Sequence, residues 1–73
     1  MAMSDEEAGL DRAQRERIAE IVDQLRNAIE RLDELQFDVL REAASRRSER
    51  PPIDKTLTQA RRSLEKAVHL LSD

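Results

Sequence analysis

The chain has 73 residues, of which 40% are charged and 38% hydrophobic, with one Phe, no Trp, Tyr or Cys, and a net charge of −3. This length permits one domain with a thin core, because such a chain buries only about 60% of its unfolded surface. Without cysteine, disulfides and thiolate metal sites are excluded, which leaves oligomerisation as the available staple. No apolar run approaches the ~18 residues of a membrane span, and Met1 to Asp11 is acidic where a signal peptide would be basic and then apolar. A cytoplasmic protein is therefore expected.

The residues that dominate the composition, Ala, Leu, Glu, Arg and Ile, favour helix, and their periodicity argues against disorder. The expected fold is all-α: one antiparallel helical-hairpin domain over residues 1–73. Helix one has two candidate starts, Ser4-Asp-Glu-Glu7 with capping-box spacing and Asp11-Arg-Ala-Gln14 with an Asp cap and a Gln return. Gly9 lies between them at a cost of about 1 kcal/mol relative to Ala. Residues 1–10 are thus expected to be a frayed or helical extension, and the firm helix to begin near Asp11.

From there Ile18, Ile21, Val22, Leu25, Ala28, Ile29, Leu32, Leu35, Val39, Leu40 and Ala43 keep a three-four spacing. With Ile18, Leu25, Leu32 and Val39 as heptad position a, Ile21, Ala28 and Leu35 fall at d, and Val22 and Ile29 at e. A stripe this broad suits a bundle better than a two-stranded coiled coil. Phe37 falls to one side of it and Leu35 to the other. Helix one should end near Arg46 or Arg47, before the Pro51-Pro52 pair. A short turn over 47–52 then makes antiparallel neighbours.

Helix two, about 53–72, places Ile53, Leu57, Ala60, Leu64, Ala67, Val68 and Leu71 on one stripe, with Asp54 or Thr56 as cap. Gln59, Arg61, Arg62, Glu65 and Lys66 fall on its solvated back. Helix one would be ~54 Å long and helix two ~30 Å. Folded back, helix two reaches residues 24 to 27, leaving Ile18, Ile21, Val22 and part of Leu25 uncovered. At about 1.5–3 kcal/mol each, these contribute on the order of 6–12 kcal/mol per protomer if covered, set against an association penalty of about 4–15 kcal/mol. The simplest resolution is a homodimeric four-helix bundle, with Ile18, Ile21, Val22, Leu25 and Ile29 at the interface and Leu32, Leu35 and Phe37 as a second contact. A break near Gln24 to Asn27 would give three helices instead, although no helix breaker occurs there.

Charge is unevenly distributed: residues 1–40 carry five basic and eleven acidic side chains (−6), residues 41–62 seven and three (+4), and residues 63–73 add −1. The basic tip (Arg41, Arg46, Arg47, Arg50, Lys55, Arg61, Arg62) could neutralise phosphates. It has no aromatic for base stacking and the overall charge is negative, so nucleic acid is not an expected partner.

His69 with Glu65 one turn earlier supplies two potential metal ligands, too few for a site. Glu30, Asp33, Glu34 and Asp38 intersperse with Arg26, Arg31 and Arg41 as on an ordinary solvated face. With no Cys and no Gly-rich loop, nucleophilic catalysis has no candidate. No cofactor or metal is expected.

The stretch Leu25-Arg26-x-x-Ile29-Glu30-x-Leu32-Asp33 is similar to the opening of the all-helical chorismate mutases, which implies a substrate-carboxylate role for Arg26. The family's next active-site arginine falls at Ala43, and a third helix is missing. The expectation is therefore a non-enzymatic module that associates with itself, or alternatively docks its exposed helix on a different protein.

Overall fold

The computed structural model describes residues 9–47, 49 and 51–72, which form two helices, α1 (Arg12–Ser45) and α2 (Pro52–Ser72), packed against each other as a hairpin. The candidate start at Ser4 and the extension over residues 1–8 lie outside the described residues. α1 begins with the reciprocal box expected of Asp11 and Gln14. The Gln14 N–H donates to Asp11 Oδ1 at 2.8 Å, and the Asp11 N–H donates to Gln14 Oε1 at 3.1 Å. Two otherwise orphaned helix donors are thereby satisfied. Gly9, at φ 72°, supplies the left-handed residue through which the chain enters this cap.

α1 runs without interruption through Gln24 to Asn27, so the three-helix arrangement does not arise. It ends at Ser45, slightly earlier than expected. Arg46 is the C-cap, and Arg47 follows in the left-handed region at φ 55°, donating its N–H to the Ala44 carbonyl at 3.1 Å. That position usually carries Gly, and a side chain there costs roughly 1–2 kcal/mol. Arg47→Gly is accordingly expected to stabilise the hairpin by about 0.5–1 kcal/mol, raising the thermal midpoint by a few degrees. A lowered midpoint in a thermal melt would show that the Arg47 side chain contributes more than its backbone strain costs.

α2 starts at Pro52, where a missing N–H is harmless, and the Asp54 N–H donates to the Pro51 carbonyl at 3.0 Å. Neither Asp54 nor Thr56 therefore occupies the cap position; Asp54 lies within the first turn and is 5% exposed. The sequence pattern misplaces the helix start because Pro can open a helix without a side-chain cap.

The helices cross-connect through side chains on one flank. Arg61 Nη1 donates to Asp33 Oδ1 at 2.9 Å, and Gln36 Nε2 donates to Asp54 Oδ1 at 2.6 Å and to Thr58 Oγ1 at 2.7 Å. Thr58 in turn donates to the Asp54 carbonyl at 3.0 Å. Arg61 thus leaves the solvated back assigned to it by periodicity and becomes part-buried, with its Nε buried and unpaired. The remaining exposure of the pair limits its worth to at most about 1 kcal/mol.

The Asp33–Arg61 pair also fixes the register. Ser72 is eleven residues beyond Arg61, and Val22 eleven before Asp33, so α2 ends level with Val22. Val22 is buried, with Ala43 and Leu57, and is not an uncovered residue as its position in the sequence suggests. The expected reach of α2 falls a turn short because the chain turns earlier, at Ser45, and restarts earlier, at Pro52. Ile18 and Leu25 are half-buried, and Ile21 remains exposed.

Candidate interaction surface

Each helix leaves a flank of apolar side chains open beside the contact line, and helical geometry places these two flanks together. On α1 the covered line is Val22, Ile29, Gln36 and Ala43, seven residues apart and all buried or half-buried. Ile21, Ala28 and Leu35 each precede a member of that line by one residue, about 100° round the helix. On α2 the covered line is Asp54, Leu57, Arg61, Leu64 and Val68, while Ile53, Ala60 and Ala67 precede Asp54, Arg61 and Val68. In antiparallel helices, residues that precede the contact line fall on the same side of the pair. Asp33 and Thr58 follow Leu32 and Leu57 by one residue, and their polar bridges consequently lie on the opposite side.

The hairpin is therefore two-faced. Its polar face carries the Asp33–Arg61 and Gln36–Asp54–Thr58 bridges. Its apolar face carries Ile21, 45% exposed, Leu35, 48%, Ile53, 45%, and Leu71, 42%, with Ala28, Ala60 and Ala67 between them. Bordering this face on α2, Thr56 and Ser63 are uncharged and exposed. On α1 the corresponding edge carries the exposed, charged Arg17, Arg31 and Glu42.

Of the residues expected at an interface, Ile21 and Leu35 stand open on this face. Ile18, Leu25, Ile29 and Leu32 are half-buried, and Val22 is already covered within the chain. Phe37, 63% exposed, projects on the other side of α1, where the Arg41 guanidinium lies 5.4 Å from its ring centroid. Such a contact over an exposed ring is worth about 0.5–1 kcal/mol.

Sequence periodicity does not single out Ile53 or Leu71 for an open face, since it assigns both to the buried stripe of α2. Gln36 also escapes it, although it continues the seven-residue series Val22, Ile29, and that continuity was the available signal.

The basic tip is partly neutralised from within. Arg46 pairs with Glu42 at 2.8 Å, Arg41 with Asp38 at 3.4 Å, and Arg61 with Asp33, while Arg50 lies outside the described residues. Glu65 and His69 are both exposed, and among the described residues no group of three or more His, Asp or Glu side chains is placed to hold a metal ion. Arg26 is exposed on α1 and Ala43 is buried near the turn, so the chorismate-mutase-like stretch borders no enclosed cavity with a second arginine. No helix among the described residues is long and apolar enough to cross a membrane. In comparisons with known proteins, no family model, no curated relative and no solved structure matches this chain.

Proposed function

We propose that this chain is a non-enzymatic self-association module, in which two hairpins pack apolar face to apolar face as a four-helix bundle. The observation that carries the reading is the apolar face to which both helices contribute. One further quantity supports it.

Ile21, Leu35, Ile53 and Leu71 each retain nearly half their exposure, worth about 1 kcal/mol apiece if lost, so eight such side chains in a dimer supply on the order of 6–12 kcal/mol. An association penalty of about 4–15 kcal/mol is set against this, and association requires the lower part of that range. The balance is at most about 8 kcal/mol, so the dimer is expected to be reversible, of micromolar affinity at its tightest.

Light scattering or sedimentation across a dilution series tests the reading. The expected result is a dimer mass at tens of micromolar that falls towards the monomer below about 1 μM. A well-folded monomer at the highest concentration overturns self-association and transfers the same face to a helix of a different protein.

A further inference from the structure

Resting on that self-association, we infer that the two hairpins lie with their tips at the same end, each α1 packing along the partner's α2. Two-fold stacking of these faces allows only two arrangements: tips together, with α1 on the partner's α2, or tips opposed, with α1 on α1 and α2 on α2. Both keep every neighbouring pair of helices antiparallel, so helix dipoles do not choose between them. Register, shape and edge charge do.

With tips together the two-fold axis runs along the hairpins, so neither can slide and each level meets its own copy. The register set by Asp33–Arg61 puts Ile21 level with Leu71, Ala28 with Ala67 and Leu35 with Ala60, each to within two residues. Across the contact Ile21 therefore meets the partner's Leu71, and Leu35 meets the partner's Ala60, a large side chain over a small one. Ala28 and Ala67 lie between these layers and let the helices approach to about 8 Å.

Opposed tips can slide, but no slide seats the large side chains as well. Along the line that would meet its own copy, α1 presents Ile21, Ala28, Leu35 and Glu42. With Leu35 on the partner's Ala28, Ile21 falls on Glu42. With Leu35 on the partner's Ile21, Ile53 falls beyond the last residue of the chain. With Leu35 on its own copy, Ile21 falls beyond the end of α1 at Ser45.

Shape agrees with the fixed register. Ile53 stands level with residue 41, where α1 and the turn form a cleft of about 190 Å³ lined by Val39, Glu42, Ala43, Arg46 and Pro51. Val39, Glu42 and Arg46 lie within about 40° of Leu35 round the helix, so the cleft opens on the apolar face. Tips together bring the partner's Ile53 to it. Val39, Ala43 and Pro51 supply apolar walls, and the Glu42 carboxylate is already paired with Arg46 at 2.8 Å.

The edges of the face add a third reason. Tips together set the charged edge of α1, Arg17, Arg31 and Glu42, beside the uncharged Thr56 and Ser63 edge of the partner's α2, whereas opposed tips set charged edge on charged edge. The two basic tips then share one end, but Arg41, Arg46 and Arg61 are each paired within their own chain, which limits repulsion.

The chain lacks cysteine, so single-cysteine variants report neighbours directly. Ala28→Cys and Ala67→Cys chains, mixed in equal amounts and oxidised mildly, should form mainly the mixed disulfide, because a bridge needs Cα atoms within about 7 Å. Ala28→Cys alone should cross-link several-fold less, since the two α1 helices lie diagonally across the bundle. A dimer mass with no preference for the mixed disulfide overturns the orientation and leaves self-association standing. A monomer mass for the reduced mixture overturns both.

Discussion

Leu35→Asp is expected to abolish self-association and leave the hairpin helical. Leu35 is about half exposed in the single chain, so the substitution costs the monomer little beyond a helix-propensity difference of up to about 0.7 kcal/mol. In the dimer the same change acts twice. Each copy loses about 1 kcal/mol of apolar burial and places an unpaired carboxylate in the contact, at about 1–3 kcal/mol or more. A combined loss on the order of 4–8 kcal/mol raises the dissociation constant at least 1000-fold, at about 1.4 kcal/mol per decade.

The mass at tens of micromolar should accordingly be that of a monomer. Phe37→Asp is the control, because Phe37 lies on the other side of α1 and should leave the dimer intact. If Leu35→Asp remains dimeric, or if Phe37→Asp dissociates the protein instead, the apolar face identified here is not the contact. Loss of helicity in Leu35→Asp that is recovered at high concentration would still mark this face, because folding and association would then be linked.

Gln36→Leu should destabilise the hairpin by about 1–3 kcal/mol despite adding an apolar side chain to a core-facing position. Gln36 Nε2 is a donor to Asp54 Oδ1 and Thr58 Oγ1, and Asp54 is 5% exposed, so removing the amide takes a hydrogen-bond donor from a buried carboxylate. By the same reasoning the double variant Gln36→Leu, Asp54→Leu should recover most of the loss, since exchanging both partners for apolar groups is far less costly than removing one. The gap between the double variant and the sum of the singles should be about 1–3 kcal/mol in urea unfolding. Additive effects would mean that the 2.6 Å contact contributes nothing to stability.

The two variants probe opposite sides of one helix, and together they describe why the hairpin is two-faced. On the polar side Gln36 and Asp54 fix the rotation of α1 against α2, since a slip of one residue would break the bond between them. On the apolar side nothing within the described residues performs that task, and Ile21, Leu35, Ile53 and Leu71 stay open to a partner. Polar bridging on one flank therefore decides which flank is left open.

Much of this architecture is legible in the linear chain. The three-four spacing from Ile18 to Ala43 dictates a long helix, Asp11 and Gln14 announce its start, and the Pro51-Pro52 pair separates it from a second helix short enough to fold back. These are local signals, each read from residues within a turn or two of one another. What they leave open is rotation. An a/d/e stripe is wider than the strip one neighbouring helix can cover, so periodicity alone permits α2 to lie over the d side or the e side.

The tertiary structure settles that choice through contacts eighteen to twenty-eight residues apart in the chain, Gln36 with Asp54 and Thr58, and Asp33 with Arg61. Such contacts have no signature in local spacing, because each depends on where the turn stops α1 and restarts α2. The same register carries α2 as far as Val22, moving the open surface from the beginning of α1 to a flank shared by both helices. The sequence alone determined two helices and their antiparallel pairing; the side-chain bridges between them decided which face remains exposed, since only packing brings a Gln on one helix to an Asp on the other.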